Sequence, residues 1–450
     1  MEKKKLYKEK NYKHIDKPFD IYKHRNIMNK IQDKEYVTHH AFYPFVSSKI
    51  SFKKYSEEII KGHHYKFKDR PIKYASHIDR YIYQWYSSKL NQAYNVYCNE
   101  HDLNKCSVAY RTCLRGKTNI EFASMAFKKI KELKECYVLV SDFSDFFDTL
   151  EHSILKQNIC KVLKVNKLEN DWYKVFRSMT VYSYVERQSI IDFLIDNKYE
   201  TDSSILKLKS FFESISWNDA KKNIKIIRHD DEYGIPQGSP LSGIFANVFM
   251  IDFDYKLNEY AKSKNGLYMR YSDDLILIIP KDEVNSIDDL WNYIVNLKRD
   301  YKYLKINESK TSGYVYENGL IKSLHNESNG FKISGNFIPY LGFSFDGTYI
   351  KFRDKTLTKF FYKMYRKIDS MVEREQYRIL LNKKKKSKID KHWILKQLKQ
   401  GNGEDLKFVT YVNRAKRVFP NEKYIVSFKD MVKKRIFIRF NKFNSKKTEE

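Results

Sequence analysis

Apolar residues gather along this chain in short blocks, and their spacing separates helices from strands. Ile78, Tyr81, Ile82 and Trp85 recur at helical spacing and predict an amphipathic helix running to about Tyr97. A short strand is expected around Val108 to Tyr110, with a helix from about Asn119. Tyr137 to Val140 reads as a buried strand that runs straight into Ser141-Asp142. Leu241, Ile244, Phe245, Val248 and Phe249 share one face of a helix. It follows a Gly- and Pro-rich loop, Gly234 to Ser242, in which Ser239-Pro240 makes a cap and first-turn pair. Leu267 to Tyr271 and Leu275 to Ile279 predict two strands folded over Ser272-Asp273-Asp274.

Further on, Asp288 to Asp300 predicts a helix, and Pro339 to Ile350 a hairpin turning at Asp346-Gly347. Leu357, Phe360, Phe361, Met364, Ile368 and Met371 hold a helical stripe, and Asn382 to Lys391 is a lysine-rich break between helices. Two regions stay indistinct. Residues 1 to about 68 are polar, basic and weakly periodic and predict only marginal structure, while 161–229 mixes helical patterns with charged stretches and carries no motif.

Composition adds a direction. The 450 residues carry a formal net charge of +29 with 16% aromatics. Lys and Arg displace condensed counterions, and Tyr and Phe offer faces on which bases stack, so a polyanion is the expected partner. A low-GC genome also inflates Lys and Tyr, so the charge supports nucleic acid without proving it. The five cysteines, Cys98, Cys106, Cys113, Cys136 and Cys160, include no Cys-x-x-Cys pair, as expected of reduced thiols in the cytoplasm. His39-His40 and His63-His64 have no zinc-finger spacing around them. The first residues lack the apolar core of a signal peptide and no apolar run is long enough for a bilayer, so a soluble, cytoplasmic chain without a membrane partner is expected.

The candidate chemistry lies at three breaks in the apolar pattern. Asp273 and Asp274, adjacent on the tip of an apolar hairpin, repel each other, and a divalent cation neutralises such a pair better than one lysine. A solvated Ser-Asp-Asp turn is the alternative. Asp142 closes an apolar strand, where an acid packs poorly but a metal is well served. Asp145 and Asp148 read as capping or solvated carboxylates of the following helix. Gln237 sits between Pro236 and Gly238, where it has no capping use and reads as a group presented to a ligand. Arg111, Arg115, Gly116 and Lys117 form a basic turn ahead of a helix N-terminus, suited to a phosphate chain or simply solvated.

Asp142 closing a strand, Gly-Ile-Pro-Gln-Gly-Ser-Pro-Leu-Ser and Tyr-Ser-Asp-Asp occur in one order, and together they resemble the reverse transcriptases over roughly Arg70 to Met371. The resemblance implies an α+β right-hand polymerase: fingers, a palm whose antiparallel sheet carries the catalytic carboxylates, and a helical thumb. It divides the chain into a basic N-terminal extension (1–68), fingers and palm (69–350) and a basic helical thumb with the C-terminal region (351–450). It further implies two Mg2+ ions on Asp142 and Asp273, with Asp274 in support. Arg111 looks like the fingers arginine that grips the triphosphate, with Lys117 beside it in the nucleotide-binding turn. Phe147 looks like the ring under the sugar that rejects a 2′-hydroxyl, and Gln237 like the loop residue approaching the nucleotide. Lys310 looks like the lysine that assists the leaving pyrophosphate, and Tyr340, Leu341, Gly342 and Phe343 like the hairpin gripping the primer end. The implied partners are an RNA template, deoxynucleoside triphosphates and the DNA product.

Within that family, Ala-Tyr-Arg with Gly-Lys-Thr-Asn-Ile-Glu-Phe-Ala, and Tyr-Leu-Gly-Phe-Ser-Phe-Asp-Gly before Phe-Tyr-Lys-Met-Tyr-Arg-Lys, look most like the bacterial defence-associated and abortive-infection enzymes. No Val-Thr-Gly of a retron thumb and no nuclease or maturase tail is present. A structured non-coding RNA is the expected partner, and the sequence leaves a homo-oligomer open. Other readings keep part of the same features. An RNA-dependent RNA polymerase would be expected to carry a polar residue in place of Phe147 and a glycine in place of Ser272. Template-independent or protein-primed synthesis would use the same palm, with 36 tyrosines as candidate primers. A catalytically dead RNA-binding scaffold would keep the charge and dispense with the carboxylates.

Overall fold

The computed structural model describes residues 6–60, 63–114, 116–324, 335–380 and 404–445. Its strands are β1 (Phe45–Ile60), β2 (His63–Tyr74), β3 (Glu135–Asp142), β4 (Ser183–Glu186), β5 (Ile227–Arg228), β6 (Leu267–Tyr271) and β7 (Asp274–Pro280). They continue with β8 (Ser312–Glu317), β9 (Leu320–Leu324), β10 (Ile338–Tyr340), β11 (Phe343–Phe345) and β12 (Ile350–Phe352). The chain folds into two compact units that interleave in sequence. One comprises Met1–Arg115, Phe143–Tyr260 and Tyr293–Asn307; the other comprises Gly116–Asp142, Ala261–Asn292 and Glu308–Glu450.

In the first unit the strand order is β2-β1-β4-β5. The long β1–β2 hairpin is antiparallel, with Val46 opposite Tyr74 and Tyr55 opposite Tyr65, and β4 joins β1 in parallel. The predicted helix spans His77–Glu100, capped by Ser76, whose Oγ accepts the Asp79 N–H at 3.1 Å. Its inner face buries Tyr81, Ile82, Tyr86, Leu90 and Tyr94. Buried phenols need partners, so Tyr86 donates to Asp171 (2.6 Å) and Tyr94 to Ser107 Oγ (2.7 Å). The motif-free stretch has a core of its own: Val185, Ile190, Leu194, Ile205 and Phe211 pack with Val46 of β1.

Two expectations fail in this unit. Residues 6–44 are ordered rather than marginal: Tyr7, Ile15, Ile21, Ile31 and Val37 are buried, and Asp16 accepts the backbone N–H groups of His77 (2.8 Å) and Ile78 (3.0 Å). The helices there, Ile21–Lys23, Arg25–Lys30 and Lys34–His39, are too short to show a period. Val108 to Tyr110 forms no strand. Asn247 and Asn91 side chains donate to the carbonyls of Ala109 and Tyr110, both at 2.7 Å, and Tyr110 has φ +57°, a left-handed value no strand uses.

The second unit is built on a five-stranded antiparallel sheet, order β6-β7-β3-β8-β9. β7 is buried from Leu275 to Pro280, which explains its unbroken apolar run, whereas β3 alternates more. The Asn119–Leu133 helix starts in a capping box between Thr118 and Glu121 and buries Ile120, Phe122, Ala123, Ala126, Phe127 and Ile130. The single hairpin expected between Pro339 and Ile350 is a three-stranded meander, β10-β11-β12. Asp346 does turn the second connection, accepting from the Thr348 and Tyr349 N–H groups, but a first turn at Leu341-Gly342 precedes it. The stripe after residue 354 lies on the Asp354–Leu380 helix, where Phe361, Met364, Ile368 and Val372 are buried. Asn382 to Lys391 lies outside the described residues. Among those described, no helix is long and apolar enough to cross a membrane.

Candidate active site

The β6–β7 connection is a two-residue turn. Tyr271 pairs with Asp274, leaving Ser272 and Asp273 at the tip, with Ser272 at φ +62°. A positive φ at the first turn position suits the right-handed twist of a hairpin and is usually given to glycine. Here Arg270, fully buried, donates from Nη1 to the Ser272 carbonyl at 2.8 Å and fixes the turn from beneath. An arginine inside an otherwise apolar strand was the sequence signal for this support.

On its other side β7 pairs with β3, and the register sets Asp274 directly opposite Asp142. Such partners hold their Cβ atoms about 4.5–5.5 Å apart on one face of the sheet. The sheet therefore brings together Asp142, Asp273 and Asp274. Lys310, at the end of a 3-10 turn (Glu308–Lys310), places its ammonium on Asp142 Oδ2. Packed protein around Asp274, then the charges of Asp273 and Asp142, push its carboxyl up to about 7, with Arg353 and Lys310 opposing. The neighbouring carboxylates repel one another, which favours the protonated form of Asp274. Among the described residues no three His, Cys, Asp or Glu side chains close into a metal cage. Lys310 instead supplies the counter-charge to Asp142. Three carboxylates still offer the all-oxygen donor set that Mg2+ takes, and relief of their repulsion is what such an ion supplies, so the residues fit it.

At the β10–β11 turn Leu341 has φ +46° and Gly342 φ +89°, with Tyr340 paired to Phe343. Two positive values define a type I′ turn, in which Asn-Gly is the favoured pair; leucine in the left-handed region costs about 1–2 kcal/mol. The Leu341 carbonyl accepts from Asn119 Nδ2 (2.8 Å) and the Gly342 carbonyl from the Arg353 N–H (3.0 Å). Tyr340 and Phe343 are buried, and burial pushes the Tyr340 phenol well up. Of the four expected primer-gripping residues, these two are packing residues, and only Leu341 and Gly342 are half-exposed.

Residues 68–345, more than half of the chain, match the family described as reverse transcriptase (RNA-dependent DNA polymerase). The chain belongs to the reverse transcriptase family. Among solved structures it is similar to apo telomerase from Candida tropicalis truncated from its C-terminal domain, at 15% identity and TM-score 0.43, covering 75% of this chain and 61% of that one. It is also similar to telomerase from Candida albicans in complex with a fragment of telomeric RNA, at 12% identity and TM-score 0.45, covering 91% and 64%. The chain thus spans less than two thirds of either telomerase chain.

The remaining residues expected of a reverse transcriptase divide into half-buried or exposed ones and those locked into the fold. Phe147 is half-buried and its carbonyl is held by the Ile235 N–H at 2.9 Å. Gln237 is half-buried, and its carbonyl accepts the Lys73 N–H at 2.9 Å. Within the loop Ser239 Oγ accepts the Leu241 N–H and Ser242 Oγ donates to the Pro236 carbonyl, and the helix after it begins at Ser242 rather than at Pro240. Gly238 has φ +129°, and a Cβ there would lie 2.8 Å from both Ile72 Cγ2 and the Lys73 carbonyl oxygen. Gly238→Ala should therefore destabilise the chain by more than about 1 kcal/mol, read from the midpoint of urea unfolding.

Arg111 is buried in this conformation, with donors on Asn95 Oδ1 (3.1 Å), Asn104 Oδ1 (2.6 Å) and the Ser107 carbonyl (3.2 Å). Of the two readings of Asp145 and Asp148, the solvated one fits: both are exposed, and Asp145 has φ +48° and makes no capping bond. Lys117 is exposed, but the helix N-terminus behind it is already satisfied by Thr118 and Glu121, and Arg115 lies outside the described residues. Arg414, which the sequence did not single out, bonds Glu121 Oε1 through Nε (2.8 Å) and Nη2 (2.6 Å). Although desolvation opposes it, Arg414 and Thr118 hold the Glu121 carboxyl down at about 2. A depressed carboxyl adds stability above its unfolded pKa of about 4.3 and loses it as pH falls toward 2. Stability measured by urea unfolding should drop over that window, and Arg414→Met should flatten the drop.

Proposed function

We propose that this chain is an RNA-directed DNA polymerase that adds deoxynucleotides to a primer on an RNA template. The observation that carries the reading is the register that sets Asp142 opposite Asp274 with Asp273 at the adjoining turn. Asp142 and Asp273, with Asp274 in support, would hold two Mg2+ ions, which supply a lowered pKa at the primer 3′-hydroxyl and charge for the transferring phosphoryl group. Lys310, which pairs with Asp142, would neutralise the leaving pyrophosphate. Phe147 is assigned to the sugar face and Gln237 to the incoming nucleotide, and the half-exposed Leu341-Gly342 turn to the primer end. Lys117 is assigned to the triphosphate side.

Extension of a primed RNA template with each nucleotide class tests the assignment. Deoxynucleotide incorporation is expected; preference for ribonucleotides would replace it with an RNA polymerase, and DNA covalently attached to the protein would show protein priming. We further place the enzyme among bacterial defence-associated reverse transcriptases, acting in the cytoplasm with a structured non-coding RNA. The support is the Ala-Tyr-Arg and Tyr-Leu-Gly-Phe-Ser-Phe-Asp-Gly segments together with the net charge of +29. Expression in a bacterial host should lower phage plating, and the Asp273→Asn/Asp274→Asn variant should restore it. Equal plating of phage on cells with and without the gene would remove the defence role.

A further inference from the structure

The first turn of the Asn119–Leu133 helix touches more than a packing role requires. Asn119 Nδ2 donates to the Leu341 carbonyl (2.8 Å) and to the Tyr411 hydroxyl (3.1 Å). Tyr411 belongs to the Glu404–Val418 helix, and its hydroxyl would lie 3.5 Å from a Cβ on Gly342. Its ring stacks near Phe343, at 6.1 Å between centroids. One helical turn further along, Arg414 grips Glu121 and also donates to the Gly116 carbonyl, beside Lys117. Phe122, three residues after Asn119, lies against Tyr271, the last residue of β6 before the Ser272-Asp273 turn, with centroids 6.2 Å apart.

We propose that Asn119 and Tyr411 are positioning residues that latch the Leu341-Gly342 turn, so that the C-terminal helix sets where the primer end lies relative to the aspartates. The inference rests on the polymerase reading and adds residues to it. Leu341 occupies a left-handed conformation that leucine avoids, and a strained turn persists only where its surroundings hold it. Asn119 supplies that hold through the carbonyl of the strained residue itself. Tyr411 fixes the second bond of the same amide, so loss of its hydroxyl frees the amide to rotate. Arg414 keeps the helix that carries Tyr411 docked on the Thr118–Glu121 capping box. Occupancy of the primer turn thereby depends on the C-terminal region, which the sequence reads only as a basic thumb.

The test uses the full-length chain and the variants Asn119→Ala, Tyr411→Phe and Asn119→Ala/Leu341→Asn. Amide hydrogen exchange at residues 341–343 should quicken on the order of tenfold in the first two, with 267–280 unchanged. Turnover on a primed RNA template should fall on the order of tenfold while KM for the deoxynucleotide holds, because the primer end is displaced and the nucleotide site is not. Leu341→Asn creates the Asn-Gly pair that adopts a type I′ turn unaided, and it should return most of the lost rate in the Asn119→Ala background. Unchanged exchange overturns the latch. So does faster exchange with full turnover, or a lost rate that Leu341→Asn fails to restore. A wild-type chain that extends no primer removes the polymerase reading instead, and the exchange comparison then decides the latch alone.

Discussion

Changing both Asp273 and Asp274 to Asn should lower primer extension by at least about 10³-fold, while affinity for RNA stays within about twofold. The two effects separate because they draw on different parts of the chain. Affinity comes from a net charge of +29, to which the substitution adds two units at a site whose own charges sum to acid. Chemistry comes from oxygen ligands: Asn keeps the shape of Asp and can still open β7 opposite Asp142, but it offers a metal no negative charge. Folding should survive, since the change removes the carboxylate repulsion that, added to burial, pushes the Asp274 carboxyl up to about 7. Circular dichroism and filter binding with an extension assay would check all three. A double variant that fails to fold would show that the pair is structural.

Phe147→Ala should reduce discrimination against ribonucleotides by about 10–200-fold, the range that one apolar contact supports. The backbone at this position is pinned by the Ile235 N–H to the Phe147 carbonyl, so the substitution removes the ring and leaves the chain in place. Phe146 beside it is buried and belongs to the core, whereas Phe147 is half-exposed, which is why only the latter is suited to meet a sugar. Competition between dGTP and GTP on one primed template gives the ratio directly. Undiminished rejection of GTP would take the gate away from Phe147.

Chemistry at strand ends was the most legible part of the sequence. Tyr137 to Val140 and Leu275 to Ile279 are apolar because their strands are buried neighbours in the sheet, so the acids that end them stand out as residues packing does not ask for. The Gly234 to Ser242 loop was legible for a related reason, since Gly238 occupies a place where no Cβ fits. The burial of Arg111 was not legible because exposure is not written in residue type: a basic turn and a buried guanidinium bonded to Asn95 and Asn104 look alike in one dimension. The left-handed strain at Leu341-Gly342 was not legible, because leucine gives no signal of it and the bond that holds it comes from Asn119, over two hundred residues away. Residues 6–44 were missed because hydrogen bonds and isolated burials, not a repeating face, order them.

Paramagnetic resonance of Mn2+ on the chain, with a dideoxy-terminated primer on RNA and the next nucleotide bound, tests the site most directly. Two ions per chain at coupling distance are expected for the wild type, with at most one for Asp142→Asn and none held tightly by Asp273→Asn/Asp274→Asn. Equal Mn2+ binding by all three proteins would mean that the acids brought together by β3 and β7 do not serve a metal, and the polymerase account would fall with them.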